Sequence, residues 1–490
     1  MSQQPIPDRH FGKLGWLLIA IATLIAVLGA KSHAGGWNDG SRLASVEMLS
    51  ERGSFVIDDS IFVKVPPIEA GRPSPYPLDR LDLHTLGTLD KLLIDKHFYS
   101  DKSPVLTLLM AVPHRLWLLA GGPTAAQRPD WFCYLQTVLS SGLAFVVAVA
   151  CIWRLGIAIG LTRWWSLALP VALMFATVAP VYSQQVNSHI VLLGVTSALC
   201  LALAKCDRLS RAVGFTPTVY APRGGKPHGS SELRLNCSRY SSALRYVTIG
   251  LLTGFGYTVD LGLGPILVLA TLVYCVYQIR RITPLCFVIL GMLPFVAIHH
   301  VLNYSIGGTI GPMNAVPEYL AWPGSPFTAD IATGGFKHPL GWFFVYAAEM
   351  LFGNKGFLLH NLPLLLTPGG AWLLGRGSPA TRPAVAFVLM FCGGGWLLYA
   401  AMSTNMSGMC CSVRWFVPFV APGVWVVGLV LRDLPRYCPD FLWLTAWGTA
   451  MTTVMILAGP WTMRMVPGYW GWVAVGGIGW GVVRFWRRKV

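Results

Sequence analysis

Long apolar runs separated by short polar turns fill most of the chain. The first, Leu14–Ala30, is 17 residues long, enough for a membrane-crossing helix. Ser32-His33-Ala34 behind it loosely fits a small-residue cleavage site, but the run is longer than most signal-peptide cores, so a retained helix is expected. Eleven further runs follow, near 131–153, 163–181, 188–205, 246–259, 262–279, 284–302, 358–375, 383–402, 413–431, 441–459 and 468–484. Gly254, Gly256 and Asp260 mark the turn in a stretch short for two spans. The expected fold class is an all-α polytopic membrane protein of about twelve transmembrane helices.

The pattern changes between residues 31 and 130. Leu43, Val46 and Leu49 make Ser41–Arg52 amphipathic, and Gly53 ends it. Phe55–Val65 reads as strand-like or irregular, and the five prolines of Pro66–Pro77 require extended chain. Leu83, Leu86, Leu89 and Leu93 predict a second amphipathic helix, suited to the plane of a membrane interface. Ser103 and Pro104 are an expected N-cap and first helical residue for 104–120, with an interruption at Pro113. The organisation is then an N-terminus over 1–13, a first helix over 14–30, a large loop over 31–130 and a bundle over 131–490. Within the bundle lie a basic loop, 206–245, and a second large loop, 303–357, with an interfacial helix near Trp342–Phe352.

Composition agrees: 54% of residues are hydrophobic and only 12% charged, about half the charged share of a soluble domain. The net charge of +16 is a matter of placement. Twenty-two Lys and Arg fall in segments assigned to the cytoplasm and 15 outside, and 11 of those 15 lie in the long 31–130 loop. Loops of that length escape the positive-inside rule, so both termini are expected in the cytoplasm and the 31–130 loop on the outer face, as in a bacterial inner membrane. The basic charge thus reads as topology, and no nucleic-acid partner is expected. None of the 11 cysteines lies in 31–130, which excludes a disulfide framework there; the vicinal Cys410–Cys411 pair carries no evident role.

Motifs for metal, phosphate loops and nucleophile elbows are absent. There is no HExxH, CxxC or GxSxG; Asp58-Asp59 diverge in regular structure, and His299-His300 lie at a span end. No cofactor is expected, and divalent-metal dependence is left open. Two features of the large loop carry chemistry. Asp39, within ten residues of the first membrane exit, can cap the following helix or act as general base on a hydroxyl arriving from outside. Lys102 stands just before a helix N-terminus, where a cation and a helix dipole converge on any phosphate, and is otherwise a solvated surface lysine.

At these residues the chain resembles a family. Asp39-Gly-Ser-Arg42-Leu-Ala44 is similar to the D-E-x-R-x-A motif of the first outer loop of GT-C membrane glycosyltransferases, nearest to the protein O-mannosyltransferase and aminoarabinose (lipid A) transferase branches. His97-Phe-Tyr99-Ser-Asp101-Lys102-Ser-Pro104 is similar to their Y-x-x-K-P-P-L segment. Weaker echoes are Tyr182-Ser-Gln-Gln-Val-Asn187-Ser-His189, Asn354–Pro363 and Arg414-Trp-Phe-Val-Pro418. The strong part covers residues 14–120.

The resemblance implies transfer of a sugar from a polyprenyl-phosphate donor to an acceptor hydroxyl on a lipid, glycan or protein, with inversion. Asp39 would deprotonate the acceptor. Lys102, helped by Arg42 or Arg414, would meet the charge of the departing phosphate. Asp101, Tyr99, Asn187 and His189 would line the cavity. Gly40 stands where the family usually has Glu, and Ser103 follows Lys102 where the family has Pro. Two other readings remain open. A twelve-span secondary transporter would use Asp260 as its buried charge but would show two similar halves, which are not seen. A polysaccharide polymerase or ligase would place its large outer loop late in the chain.

Overall fold

The computed structural model describes residues 9–214, 230–279, 282–328, 336–462 and 466–489. Seven helices among them are long and apolar enough to cross a membrane: Gly12–Gly29, Pro129–Ala158, Ser188–Cys206, Ile282–Gly307, Arg382–Met402, Arg414–Asp433 and Pro435–Ala458. An eighth is added if Leu340–His360 and Leu362–Gly377, bent 120° to each other, form one broken span. The chain is an integral, multi-pass, predominantly helical membrane protein. The expectation of twelve spans exceeds this count for a physical reason. Arg163–Phe175 has 13 residues and Gly264–Ile279 has 16, or about 20 and 24 Å at 1.5 Å per residue, against a hydrocarbon core of about 30 Å.

The bundle closes through small residues. Gly250 and Gly254 on Ser230–Val259 face Gly291 and Met292 on Ile282–Gly307. A Cβ on Gly254 would lie 2.7 Å from the Met292 carbonyl oxygen, so the backbones touch where any larger residue would part them. The expected basic loop 206–245 is mostly helix: Ser188–Gly214 and Ser230–Val259 extend into it, and 215–229 lie outside the described residues.

The 31–130 segment forms a folded cap rather than a set of surface helices. Helix α1 (Arg9–Gly29) leads into α2 (Trp37–Arg52), which ends at Gly53 with φ +70°, as expected of a glycine C-cap. Almost every residue of α2 from Asp39 to Ser50 is buried, polar ones included. The expected second amphipathic helix is overturned. Only α3 (Leu81–Leu86) is helical, Gly87 ends it, and strands β1 (Lys91–Ile94) and β2 (His97–Ser100) pair antiparallel in register Ile94↔His97. Asp95 and Lys96 both take positive φ, the two-residue hairpin turn, without the Asn-Gly that usually announces it. Leu92 is buried within the paired strands, opposite Tyr99, rather than on a helical face.

Helix α4 (Pro104–Leu119) packs along α2 and runs unbroken through Pro113, contrary to the expected interruption. The buried face of Leu106, Met110, Ala111 and His114 holds it straight, and His114 Nε2 meets Glu51 Oε1 at 3.1 Å. Pro104 occupies the first helical turn as expected. Ser103 makes no capping bond; its hydroxyl is buried without a partner among the described residues.

Candidate active site

Asp39 is the third residue of α2, and its helix begins on an extended Gly36. The carboxylate folds back to close that end. Oδ2 accepts the Gly35 amide at 2.7 Å; Oδ1 accepts Gly36 at 2.9 Å and Gly40 at 3.2 Å. A fourth donor arrives from far along the chain, the Trp461 indole Nε1, 3.2 Å from Oδ2. Asp39 therefore does cap the helix. Burial nevertheless wins over the amides and lifts its pKa to about 6.

One residue later, Gly40 faces Tyr76. A Cβ there would lie 3.2 Å from Tyr76 Cζ and closer still to the hydroxyl, which donates to the Phe62 carbonyl at 3.0 Å. The glycine is thus dictated by Tyr76, and a glutamate in its place has nowhere to go.

Arg42 follows one turn after Asp39. Its Nη2 donates to Ser188 Oγ at 2.7 Å, tying the cap to the start of the Ser188–Gly214 helix, while its Nε is buried without a partner among the described residues. Burial lowers its pKa to about 10, with Asp101 and Asp260 opposing and Arg414 adding to the drop, so it stays charged near neutrality.

Strand alternation in β2 decides the next pair. Ser100 turns inward and its hydroxyl meets Ser41 Oγ at 2.7 Å; Ser41 also donates to Asp101 Oδ1 at 3.1 Å. Tyr99 turns the other way and packs with Leu92, Ile94 and Met313. It is not a cavity residue, a correction that follows from the period of two.

Lys102 is no free cation. Its ammonium lies 2.8 Å from Asp90 and 2.6 Å from Asp101, all three side chains largely buried. Burial pushes both carboxyls up. At Asp90 the Lys102 and Arg414 charges and a hydrogen bond from Asn38 overcome it, so that acid sits below its usual range; at Asp101 burial wins, with the Asp90 charge on the same side. Arg414 begins a helical turn over 414–419, and its guanidinium lies over the Trp461 ring, 5.2 Å from the centroid.

Asp90 and Arg414 open onto a cavity of about 250 Å³ walled also by Gly35, Gly36, Asn38, Arg80 and Trp461; Asp39, Arg42, Asp101 and Lys102 stand outside its lining, and Trp461 links it to Asp39. Behind Arg42, His189 Nδ1 lies 2.8 Å from Asp260 Oδ2, and Asp260 Oδ1 accepts the Gly262 and Leu263 amides at 3.0 Å each. Asn187 spends its Oδ1 on the His189 amide, a helix cap, while its Nδ2 is buried without a partner among the described residues. Of the residues expected from sequence, Asp39, Arg42, Asp101, Lys102 and Arg414 come together, His189 stands just behind, and Asn187 is a cap.

Sequence reasoning missed Asp90, Arg80, Ser188 and Trp461. Asp90 was hidden by reading its segment as helix, although a lone acid between Leu89 and Lys91 fits a strand entrance. Nothing local marks Trp461. Among the described residues, no three His, Cys, Asp or Glu side chains gather as a metal-holding group.

No protein-family model matches the chain, and no curated protein matches it. Among solved structures it is similar to ArnT from Cupriavidus metallidurans bound to undecaprenyl phosphate, at TM-score 0.49 and 14% identity over 97% of this chain and 73% of that one. It is also similar to the Archaeoglobus fulgidus oligosaccharyltransferase in its apo form, at TM-score 0.43 and 10% identity over 90% of this chain and 54% of that one.

Proposed function

We propose that the chain is a GT-C-type membrane glycosyltransferase that moves a sugar from a polyprenyl-phosphate donor to an acceptor hydroxyl at the outer membrane face. The observation that supports this reading is that Arg42, Lys102 and Arg414 gather around Asp90 and Asp101, with Arg414 over the Trp461 ring whose indole donates to Asp39. A lipid phosphate is a tolerable leaving group only if its developing charge is met, and the buried Arg42 with the half-buried Lys102 and Arg414 supply that. The Lys102 charge is met at rest by Asp90 and Asp101, so the donor phosphate enters by displacing one of these carboxylates.

Asp39 is the base. With four N–H donors its oxygens are saturated, so an acceptor hydroxyl reaches it only by replacing one. Trp461 is the replaceable donor, because the others are backbone amides of the helix start. A pKa near 6 leaves the carboxylate ionised at neutral pH and basic enough to take a proton in the transition state. The hydroxyl oxygen attacks the anomeric carbon, the bond to the phosphate oxygen breaks with inversion, and the proton passes to Asp39.

The test is transfer of labelled sugar from polyprenyl-phosphate donors by purified protein in lipid, wild type beside Asp39→Asn and Lys102→Ala. Loss in Asp39→Asn with a rise of donor KM in Lys102→Ala supports both roles; full activity in Asp39→Asn removes the base. A second reading, a proton-coupled secondary transporter, draws on the buried His189–Asp260 pair. Uptake into proteoliposomes with no transfer would favour it.

A further inference from the structure

A second and larger cavity, about 920 Å³, opens between the Pro129–Ala158, Ser188–Gly214 and Ser230–Val259 helices. It lies at the far end of the bundle from the site above. Lys205 on its rim is 17 residues along the helix from Ser188, the partner of Arg42. That is about 25 Å at 1.5 Å per residue, close to the thickness of a hydrocarbon core. The two cavities therefore serve opposite leaflets.

Its lining has two parts. Ile157, Leu201 and Leu252 make an apolar wall, and Arg154, Lys205 and Arg245 stand around it, all three exposed. No carboxylate lines it among the described residues. Arg154 is held with its guanidinium 5.4 Å from the centroid of the Trp153 ring, and Trp153 itself is buried. Three like charges from three helices at one opening repel each other and add nothing to folding. Topology accounts for basic residues on this face, but not for their gathering from three helices at the mouth of one apolar cavity, which an anion joining them does explain. A soluble anion would need no apolar wall, and a bare lipid chain would need no cations.

We propose that this cavity binds an anionic amphiphile of the leaflet opposite the candidate active site. Its phosphate is held among Arg154, Lys205 and Arg245, and its hydrocarbon chain lies along Ile157, Leu201 and Leu252. The chemistry recognised is a phosphate ester on a lipid, either an anionic phospholipid or a polyprenyl phosphate. The inference does not depend on the sugar-transfer reading.

The test is lipid binding to purified full-length protein, read by native mass spectrometry and by competition with fluorescent phosphatidylglycerol. The probes are phosphatidylglycerol, undecaprenyl phosphate, phosphatidylcholine and inorganic phosphate. At least one anionic lipid is expected to bind about tenfold or more tighter than phosphatidylcholine, weakening with salt. The triple variant Arg154→Gln/Lys205→Gln/Arg245→Gln is expected to lose on the order of a hundredfold, at about fivefold per surface cation. The anionic lipid whose binding the triple variant loses, undecaprenyl phosphate or phosphatidylglycerol, identifies the source. Binding of fluorescent phosphatidylglycerol is expected to be the same in Arg414→Gln, at the opposite leaflet. Should the triple variant not remain monodisperse, Arg245→Gln alone is read, with about fivefold loss expected. Equal binding of phosphatidylcholine, equal competition by inorganic phosphate, unchanged affinity in the variants, or loss of phosphatidylglycerol binding in Arg414→Gln overturns the proposal.

Discussion

The Tyr76 hydroxyl occupies the space that a side chain on Gly40 would need, while it donates to the Phe62 carbonyl at 3.0 Å. That carbonyl also accepts the Thr88 amide at 2.8 Å, so it keeps a partner if the hydroxyl is removed. Gly40→Ala is therefore expected to cost about 1–3 kcal/mol by overpacking. Tyr76→Phe, added to it, should restore at least half, since the remaining ring carbons stand 3.2–3.3 Å from the new methyl. A double-mutant cycle on thermal unfolding in detergent measures the coupling. Additive losses would mean that Tyr76 does not dictate the glycine.

Asp39 and Trp461 set the pH dependence. If Asp39 is the base, kcat/KM for transfer rises with pH through about 6, where the carboxyl ionises. Trp461→Phe removes an N–H that favours the ionised form, so the limb should move to higher pH. The variant keeps its activity above that limb because an acceptor no longer has to displace the indole. A pH profile identical to wild type would separate Trp461 from the base.

Lys102 holds two carboxylates and can release one. Asp90→Asn preserves shape and the neighbouring Asn38 contact but removes a competing charge. The affinity for a polyprenyl phosphate is expected to rise about three- to tenfold, and in Lys102→Met to fall by at least as much. Competition between labelled and unlabelled lipid phosphate measures both. Weaker binding in Asp90→Asn would place the phosphate elsewhere.

What could be read from the sequence depended on how local the cause was. Leu14–Ala30 reads as a span because seventeen apolar residues need no partner to be recognised. Asp39 and Lys102 stand out in the sequence because each lies at or just before a helix start, where neighbours along the chain suggest a charge-binding role. The β-hairpin was not, because Leu83, Leu86, Leu89 and Leu93 fit a helical period while the pairing of β1 with β2 rests on Asp95 and Lys96 at positive φ. The state of Lys102 was not legible either. Its partner Asp90 is twelve residues back, brought close only by that hairpin. Trp461 reaches Asp39 across 422 residues, beyond any local rule.

Glu47 provides a stability test that leaves the chemistry aside. It sits in the middle of α2 and accepts Ser60 Oγ at 2.5 Å and the Ile61 amide at 3.2 Å, and burial raises its pKa from 4.5 to about 8 in spite of both bonds. The folded state therefore holds a proton that the unfolded chain gives up near 4.5. The stabilisation from that proton is complete below 4.5 and is lost as pH rises through 8, a total on the order of a few kcal/mol. Glu47→Gln keeps an acceptor for Ser60 and has no proton to lose. The gap in melting temperature between variant and wild type should therefore widen steadily from pH 4.5 to 8 in favour of the variant, then stay constant. Asp39 contributes its own decline between 3.8 and about 6 in both proteins, so it cancels in the difference. A gap that does not change with pH would mean that Glu47 is ionised in the fold at all these pH values, with water or a cation reaching it from the Ser60 side.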